Sequence, residues 1–440
     1  MIDIIKEIIL DFQQSKLKTG IPRHIDIKPV SGKATVCIGV RRCGKSTYMM
    51  QLMQKLLDSG ARSENILCLN FFDDRLHALR HDSLGIILEA YFSIYPEKKN
   101  KEKIYCFFDE IQVIPGWEPF VDRLMRTEEC EVYITGSSAQ MLSREIATQM
   151  RGRALSWEMF PFSFREFLDF KGIESDGTLS TKKRLTIQKA FEEYRQTGGF
   201  PEVAGLDRML RIKTHQEYWS AMLFRDLIER HGIAHPKAVT DLAHWLVDNT
   251  ASLYSVNSLT GYLKALGHRA PKSAVSDYLA WFEDAYTLFT VRIFDASLAR
   301  SNTNPKKIYC IDHALVTSVS SGILINSGHL LENMVFTALR RISPDIFYYK
   351  TSAGREVDFI AKLKDGSRML IQVSESMADP QTRKREVTAL AEAMAELKLS
   401  TGTIVTRGES EKISLEGRTI EVVPAWRFML DLAETFSPVR

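Results

Sequence analysis

Two glycines, a lysine and a serine stand at a fixed spacing near the start of the chain, in the segment Gly-Val-Arg-Arg-Cys-Gly-Lys-Ser at residues 39–46. Gly39 and Gly44 permit a tight turn whose backbone N–H groups point inward and can hold a phosphate. Lys45 brings a positive charge to the β- and γ-phosphates, and the hydroxyl of Ser46 can ligate Mg²⁺. The segment therefore predicts a site for ATP and Mg²⁺. The residues predicted to bind the nucleotide here are Gly39, Arg42, Cys43, Gly44, Lys45, Ser46 and Thr47.

Two adjacent carboxylates, Asp109 and Glu110, directly follow the apolar run Ile104–Phe108. The carboxyl end of a parallel strand is where a P-loop fold holds Mg²⁺, so Asp109 joins Ser46 as a predicted metal ligand. Glu110 can polarise the attacking water, which makes it the predicted general base. A solvated turn is the alternative for such a pair, but a complete phosphate-binding loop at this separation disfavours it.

Small polar and basic side chains farther along complete the predicted catalytic set. The run Val132–Thr135 leads towards Ser137 and Ser138, where a hydroxyl can lie beside the γ-phosphate. Ser137 is the predicted sensor, with Ser138 or a helix cap as alternatives. Arg151 and Arg153 flank a glycine, and guanidinium groups suit the spread charge of a transferring phosphoryl group. We expect one of these arginines to act as a finger, in cis or from a neighbouring subunit, unless the pair forms a solvated or salt-bridged turn.

Alternating strands and helices must position these side chains. The β-branched run Ala34–Ile38 predicts a buried strand before the loop, and apolar residues at helical spacing predict a helix over Ser46–Leu57 after it. This order aims the helix N-terminus at the phosphate. The run Ile66–Phe72 predicts a further strand. Such alternation predicts an α/β fold with a parallel sheet wound on both faces, in a P-loop ATPase domain at residues 1–158 that begins with an amphipathic helix.

The rest of the chain, residues 159–440, is predicted to form three further domains. Residues 159–235 are helical and predict a lid. Residues 236–296 carry three helical patterns and then an alternating strand, Leu288–Phe294, which is the spacing of a winged helix. The third helix of a DNA-binding winged helix enters the major groove, although such modules contact proteins as often in multidomain ATPases. The exposed residues that could contact DNA here are Arg269, Lys272, Ser273 and Ser276.

The last predicted domain, residues 297–440, has the α/β layout of a metal-dependent nuclease core. Glu332 lies in a helical pattern, Asp358 near the start of a strand, and Gln372 and Ser374 on the next strand. Carboxylates in this arrangement gather Mg²⁺ and orient a hydroxide. Where a third carboxylate and a lysine are wanted, however, the chain has an amide and a hydroxyl. We therefore expect a degenerate site without nuclease activity.

Composition limits the number of domains and the kinds of partner and site that this chain can have. At 440 residues the chain is long enough for two or three domains, and its net charge of only +3 means that DNA binding would need a local basic face. The six cysteines contain no C-x-x-C pair, so neither a zinc site nor a disulfide framework is indicated. Without a signal peptide or an apolar run of membrane-spanning length, the sequence predicts a cytoplasmic protein with no membrane segment.

The full set of motifs resembles one family: the bacterial and archaeal AAA-type ATPases that join a P-loop domain and a winged helix to a C-terminal domain of unknown function with a degenerate PD-(D/E)xK nuclease-like fold. The resemblance covers nearly the whole chain. Beyond the two motifs above, it rests on Thr-Gly-Ser-Ser at 135–138, Arg-Gly-Arg at 151–153, Pro-Phe-Ser-Phe-Arg-Glu-Phe at 161–167, Gly-Gly-Phe-Pro-Glu at 198–202 and Glu-Val-Asp-Phe-Ile at 356–360. By this resemblance, Gly199 and Pro201 contact the adenine of ATP, and the C-terminal domain binds DNA by shape or binds a protein.

Two functional classes follow from these observations. In the first, a Mg²⁺-dependent ATPase binds duplex or branched DNA and couples ATP hydrolysis to rearrangement of its DNA-binding domains. Its basic contacts would include Lys306–Lys307 and Arg383–Arg385. In the second, a signalling or defence ATPase switch of the STAND type binds a protein partner through its C-terminal domain. In either class the chain can assemble with copies of itself, and a steep salt dependence of DNA binding would favour the first.

Overall fold

The computed structural model describes residues 1–80, 84–136, 150, 152–177, 180–322, 326–415 and 417–436. The chain divides into two compact units, Met1–Phe160 and Pro161–Arg440. The predicted boundary at residue 158 lies beside the end of the first unit, whereas the predicted boundaries at 235 and 296 both fall inside the second. Over the described residues, no helix is long and apolar enough to cross a membrane.

A five-stranded parallel sheet forms the centre of the first unit, as far as its residues are described. Its strands are β1 (Ala34–Ile38), β2 (Ile66–Asn70), β3 (Ile104–Asp109), β4 (Cys130–Gly136) and β5 (Ala154–Glu158). They lie in the order β2-β3-β4-β1-β5, and every neighbouring pair is parallel. The predicted α/β fold with a parallel sheet is confirmed. The sequence does not predict β5, because this short strand is only half-buried and lacks a β-branched run.

Helices pack on this sheet and supply its core. They are α1 (Ile2–Gln14), α2 (Lys45–Asp58), α3 (Gly85–Ile94) and α4 (Trp117–Thr127), with short 3₁₀ turns at Ser63–Asn65, Asp74–Arg80, Pro96–Lys98 and Ile111–Val113. α2 buries Met49 and Met53 against Phe107 of β3 and Tyr133 of β4, whose rings stack with centroids 4.5 Å apart. This packing fixes α2, and with it the preceding loop, against the sheet.

The second unit begins with helices. They are α5 (Phe164–Phe170), α6 (Thr181–Thr197) and α7 (Arg208–Ala221), with a 3₁₀ turn at Pro201–Val203 and a π-helical stretch, Met222–Glu229, that continues α7. α5 begins at a capping box, in which the Ser163 hydroxyl accepts from the N–H of Glu166 while the Glu166 carboxylate accepts from the N–H of Ser163.

The middle of the second unit combines helices with short antiparallel strands. Its elements are α8 (Pro236–Asp248), β6 (Leu253–Tyr254), α9 (Val256–Ala265), α10 (Lys272–Asp284), β7 (Leu288–Ile293), α11 (Leu298–Thr303) and β8 (Lys306–Cys310). β8 pairs antiparallel with both β6 and β7. The hairpin of β7 and β8 therefore spans the boundary predicted at residue 296. α9 begins after the cap residue Ser255, whose hydroxyl accepts from the N–H of Ser258.

The remaining elements extend the same sheet. They are α12 (His313–Val319), α13 (Ser327–Ile342), β9 (Ile346–Lys350), β10 (Glu356–Lys362), β11 (Arg368–Val373), α14 (Pro380–Leu397), β12 (Thr401–Thr406), β13 (Glu411–Leu415), β14 (Arg418–Pro424) and α15 (Ala425–Phe436). Over the described residues the strand order is β13-β14-β12-β11-β10-β9-β7-β8-β6, and the parallel pair β7–β9 joins the hairpin to the C-terminal strands. α14 packs on this sheet through Leu390 and Met394, which are fully buried.

Candidate nucleotide-binding site

A tight loop joins β1 to α2. Gly39 follows the strand with a φ of 150°, and a Cβ at this position would lie 2.1 Å from the carbonyl oxygen of Met159. Arg42 and Gly44 have φ values of 64° and 102°. Left-handed residues within a turn bring successive backbone N–H groups to its inner side. The glycine at position 39 is therefore a steric requirement, and the loop has the backbone shape that holds an anion.

Lys45 lies inside this loop. Only 5% of its surface is exposed, and Nζ donates to the carbonyl oxygens of Gly39 and Val40 at 3.0 Å each. α2 begins at Lys45, so the ammonium group, the loop N–H groups and the positive end of the helix dipole converge on one place. This convergence suits the β- and γ-phosphates of a nucleotide.

Ser46 and Asp109, the predicted metal ligands, lie together at the carboxyl edge of the sheet. The Ser46 hydroxyl hydrogen-bonds to the Asp109 carboxylate, which is buried at the end of β3. Burial raises the pKa of Asp109, and hydrogen bonds from Thr135 and Ser46 offset part of that rise. Mg²⁺ commonly takes one or two protein oxygens together with substrate phosphates, and this pair fits that mode. Across the described residues, no cluster of three or more His, Cys, Asp or Glu could hold a metal ion by itself.

Thr135 is a site residue that sequence reasoning missed. Its hydroxyl donates to Oδ1 of Asp109 and accepts from the backbone N–H of Glu110 at 3.2 Å. It is fully buried near the end of β4, which pairs with β3. The signal was a polar residue that ends an apolar strand. The predicted sensor Ser137 and its alternative Ser138 lie outside the described residues.

Glu110 occupies a backbone conformation that non-glycine residues seldom adopt. Its φ is 55°, and it directly precedes the 3₁₀ turn Ile111–Val113. The side-chain amide of Gln112 donates to Oε2 of Glu110 and so fixes the direction of the carboxylate. Residues held in sparsely populated conformations cluster at functional sites, where their neighbours hold them in place. Gln112 is therefore a second residue that the sequence reasoning did not single out.

Hydrogen bonds from Arg23, in the segment before β1, hold the phosphate-binding loop in place. Arg23 donates through Nη1 to the carbonyl oxygen of Cys43 at 2.6 Å and through Nη2 to that of Phe160 at 2.7 Å. Its backbone N–H donates to Oε1 of Gln51 at 3.1 Å, and the Gln51 amide donates to the carbonyl oxygen of Thr19 at 2.6 Å. No local sequence pattern predicts this brace, because its partners are far apart in the chain.

Arg153 lies away from the P-loop of its own chain. It directly precedes β5, whose first residue, Ala154, pairs with Ala34 at the amino end of β1. The loop lies at the other end of β1, about 15 Å along the strand. Nη1 of Arg153 donates to Asp122 at 2.8 Å on the surface of α4. This placement favours action of Arg153 on a neighbouring subunit over action in cis, and the finger role stays a prediction; Arg151 lies outside the described residues.

Gly199 and Pro201 belong to the second unit. The N–H of Gly199 donates to Oδ2 of Asp312 at 2.6 Å, and a Cβ on Gly199 would lie 2.4 Å from the carbonyl oxygen of Phe162. Pro201 begins a 3₁₀ turn, in keeping with its fixed φ. Close packing inside the second unit thus accounts for the glycine, and the adenine contact stays a prediction.

The second unit gathers the predicted carboxylates around a lysine. Nζ of Lys307 donates to Glu332 at 2.9 Å and to Asp358 at 2.8 Å, and it forms an ion pair with Glu356 at 2.9 Å. Burial alone would lower the pKa of Lys307. The nearby carboxylates of Asp358 and Glu332 have a larger, opposite effect, so the pKa lies well above its ordinary value. The sequence indicated no lysine for this site, because Ser374 occupies the position where a nuclease of this layout would carry one. The structure corrects this: the ammonium comes from β8.

The amide of Gln372 does not face this ammonium. Its Oε1 accepts from the N–H of Asp358 at 3.2 Å, and its Nε2 donates to Glu386 at 2.8 Å. The hydroxyl of Ser374 donates to the carbonyl oxygen of Ser376 at 3.0 Å. Gln372 on β11 and Ser374 just after it are therefore both engaged in local hydrogen bonds.

The parallel sheet, the loop that encloses Lys45 and the carboxylate against Ser46 define a P-loop ATPase of the AAA type. Residues 31–168 match a family model described as an AAA domain, and two models of domains of unknown function, DUF8612 and DUF4143, match residues 188–323 and 327–428. An uncharacterized protein of Methanocaldococcus jannaschii is 33% identical over 438 residues, which are 97% of this chain and 95% of that protein. The chain belongs to the family of this archaeal protein.

Three further proteins are similar to this chain. An uncharacterized protein of Haemophilus influenzae is 31% identical over 334 residues, covering 75% of this chain and 80% of its own length. Among solved structures, a Walker-type ATPase of Pyrococcus abyssi has a TM-score of 0.42 at 15% identity, covering 65% of this chain and 90% of its own. The ORC2 protein of Aeropyrum pernix in its ADP form has a TM-score of 0.32 at 13% identity, covering 65% and 85%. Both structural likenesses are loose.

Proposed function

We propose that this protein is a Mg²⁺-dependent ATPase that binds duplex or branched DNA and couples ATP hydrolysis to rearrangement of its DNA-binding domains. The observation that carries the catalytic part is the meeting of four side chains at one edge of the first sheet. Lys45 lies within the loop, Ser46 touches Asp109, and Glu110 follows directly. These are the groups that phosphoryl transfer to water requires.

Each of these residues has a separate task. The loop N–H groups and Lys45 hold the β- and γ-phosphates, while Ser46 and Asp109 supply oxygen ligands for the metal. When bound, Mg²⁺ would offset the negative charge that develops on the phosphate oxygens. Glu110 accepts a proton from the attacking water, and the contact from Gln112 aims its carboxylate.

The finger and sensor roles complete the proposed site. Ser137 would report the γ-phosphate from the segment after β4. Arg151 or Arg153 would stabilise the transferring group, and the distance of Arg153 from its own loop supports action on the nucleotide of a neighbouring subunit. Hydrolysis by this route requires assembly of at least two copies.

Exposed basic residues support the DNA part of the proposal. Arg269 precedes α10 and Lys272 begins it, and both are exposed, as are Ser273 and Ser276. α10 is the third helix of the proposed winged helix. In a DNA-binding winged helix, the third helix enters the major groove. Phosphate contacts by such residues carry most of the affinity for a duplex.

The C-terminal strands are proposed to bind without cutting. The ammonium of Lys307 lies between Glu332 and Asp358, where a nuclease of this layout would hold its metal ion. A fixed cation there satisfies the carboxylates without activating a water. The nuclease-like region is therefore non-catalytic in this proposal.

One observation favours the alternative, a STAND-type signalling or defence switch with a protein partner. Arg383 forms two hydrogen bonds of 2.7 Å with Glu411, and Arg385 donates to Glu386 at 2.9 Å. Much of the basic segment that we expected to touch DNA phosphates is thus neutralised. A surface of paired charges suits a protein partner better than a nucleic acid.

ATPase and binding measurements decide between the two. Turnover is measured alone and with duplex, single-stranded and branched DNA, and duplex affinity is measured from 50 to 200 mM salt. The DNA proposal expects stimulation by duplex or branched DNA and a loss of affinity of about 10-fold or more across this range. Arg269→Glu with Lys272→Glu should weaken binding, and Lys237→Glu, an exposed change on α8, is the matched control. Salt-independent or undetectable DNA binding would favour the protein-partner alternative.

A further inference from the structure

A cavity of about 500 Å³ lies inside the second unit, remote in sequence from the P-loop. Four arginines line it: Arg195 at the end of α6, Arg208 and Arg211 in the first turns of α7, and Arg407 after β12. Cavities of this volume are in the range that holds small molecules. Its concentration of guanidinium groups indicates an anionic ligand.

Two of these arginines have carboxylate partners. Arg195 pairs with Glu192 and with Glu375 at 3.3 Å each. Arg407 pairs with Glu192 at 2.8 Å and with Glu375 at 3.5 Å. Two carboxylates therefore balance two guanidinium groups, and this network forms a neutral wall of the cavity.

Arg208 and Arg211 are left without such balance. They stand three residues apart at the start of α7, so their side chains share one face of the helix. Arg211 donates to the hydroxyl of Thr197 at 3.0 Å, and in the described part of the chain neither guanidinium has a carboxylate within ion-pairing distance. The nearby Asp207 accepts from the first N–H groups of α7 as its cap. Burial and the charge of Arg208 lower the pKa of Arg211, and the more distant carboxylates of Glu193 and Asp207 offset part of this shift.

The rest of the lining adds an apolar surface. Ile212, Leu330 and Met334 face the same cavity as the arginines. Two adjacent guanidinium groups offer many donors for the oxygens of a phosphate, and an apolar wall can take a flat ring. We propose that the cavity binds a phosphate-bearing ligand of nucleotide size, with Arg208 and Arg211 holding the phosphate. The phosphate can come from a free nucleotide or from the end of a nucleic-acid strand.

Calorimetric titration of the full chain with pyrophosphate and with AMP tests the proposal. Each protein carries Lys45→Ala, which removes binding of the probe at the P-loop. Arg208→Ala and Arg211→Ala should each weaken binding about 10- to 100-fold, because each removes charge-assisted hydrogen bonds. Lys213→Ala is the matched control, since Lys213 is exposed on the same helix but points to another side. Arg208 is itself exposed, so its loss leaves the fold intact even if Arg211→Ala does not fold.

A pair of oligonucleotides separates the two sources of phosphate. Tighter binding of a 5′-phosphorylated single strand than of its 5′-hydroxyl form, lost in Arg208→Ala, assigns the cavity to a nucleic-acid end. Equal binding of the two strands, with AMP still bound through Arg208, assigns it to a free nucleotide. Absence of binding to both pyrophosphate and AMP, or binding that is unchanged in both arginine variants, would overturn the proposal.

Discussion

Replacement of Lys307 by methionine probes the buried cluster of the second unit most directly. The side chain is 4% exposed, and its ammonium lies within 3.0 Å of oxygens from Glu332, Glu356 and Asp358. Methionine keeps much of the volume but removes the charge. The carboxylates are then left buried without a cation, and loss of one partner of a buried ion pair costs about 3–5 kcal/mol.

The size of the loss should depend on pH. Burial and Asp358 raise the pKa of Glu332 to about 7, even with Lys307 and Tyr309 beside it. Without the ammonium this pKa rises further, so Glu332 takes up a proton near neutral pH and relieves part of the repulsion. A raised pKa favours the folded state at low pH, and that contribution is lost as pH rises. We therefore expect a larger loss at pH 8 than at pH 6.

Hydrogen exchange, followed peptide by peptide in the full chain, measures this effect. Amides of β8 and β10 should open with a free energy lower by about 3–5 kcal/mol at pH 8, whereas those of β1 and β3 should not change. Lys306→Met is the control, because Lys306 is on the same strand but without these contacts. Adding Glu332→Gln and Asp358→Asn to Lys307→Met should restore much of the loss. A loss no larger than that of Lys306→Met would refute the reasoning.

The remaining predictions concern both units. Lys45→Ala should abolish nucleotide binding, whereas Glu110→Gln should keep binding but slow hydrolysis about 10²-fold or more, as a binding assay and a turnover assay on the same preparations would reveal. Gln112→Ala should lower kcat more than it changes KM, since it only aims Glu110; equal effects on both would argue against this role. Arg153→Ala should lose turnover without losing affinity, and wild-type activity should rise with protein concentration if the finger acts in trans. His215 is buried and its pKa is lowered by burial, so thermal stability should fall as pH drops below about 6.5, and calorimetry of His215→Asn should find a flatter profile.

The nucleotide site was predictable because its signals are local. The loop residues from Gly39 to Ser46 are contiguous, and Asp109 and Glu110 directly follow an apolar strand. Such motifs need only a neighbouring strand and helix to position them, and the parallel sheet supplies both. The rest of the site was harder to predict from the sequence. Thr135 was not predicted, because its hydrogen bond to Asp109 depends on the pairing of β4 with β3, which the sequence does not display.

The cluster around Lys307 was beyond sequence reasoning for the same physical reason. Its partners Glu332 and Asp358 are 25 and 51 residues away, and they meet only because β8 and β10 belong to one sheet. The sequence could place the carboxylates on suitable elements but could not supply the cation between them. Similarly, the salt bridge from Arg153 to Asp122 depends on how α4 packs, which the sequence does not display.

Asp109 and Asp358 are both buried strand carboxylates, yet their surroundings suit them to opposite tasks. The side-chain donors to Asp109 are the neutral hydroxyls of Thr135 and Ser46, so its negative charge is left to attract a cation. Asp358 instead accepts from the ammonium of Lys307, so a fixed cation already lies against its carboxylate. A divalent ion at the first site gains a carboxylate, whereas at the second it would have to displace a buried lysine. This contrast supports metal-assisted chemistry at the end of β3 and a structural role for the cluster on β10.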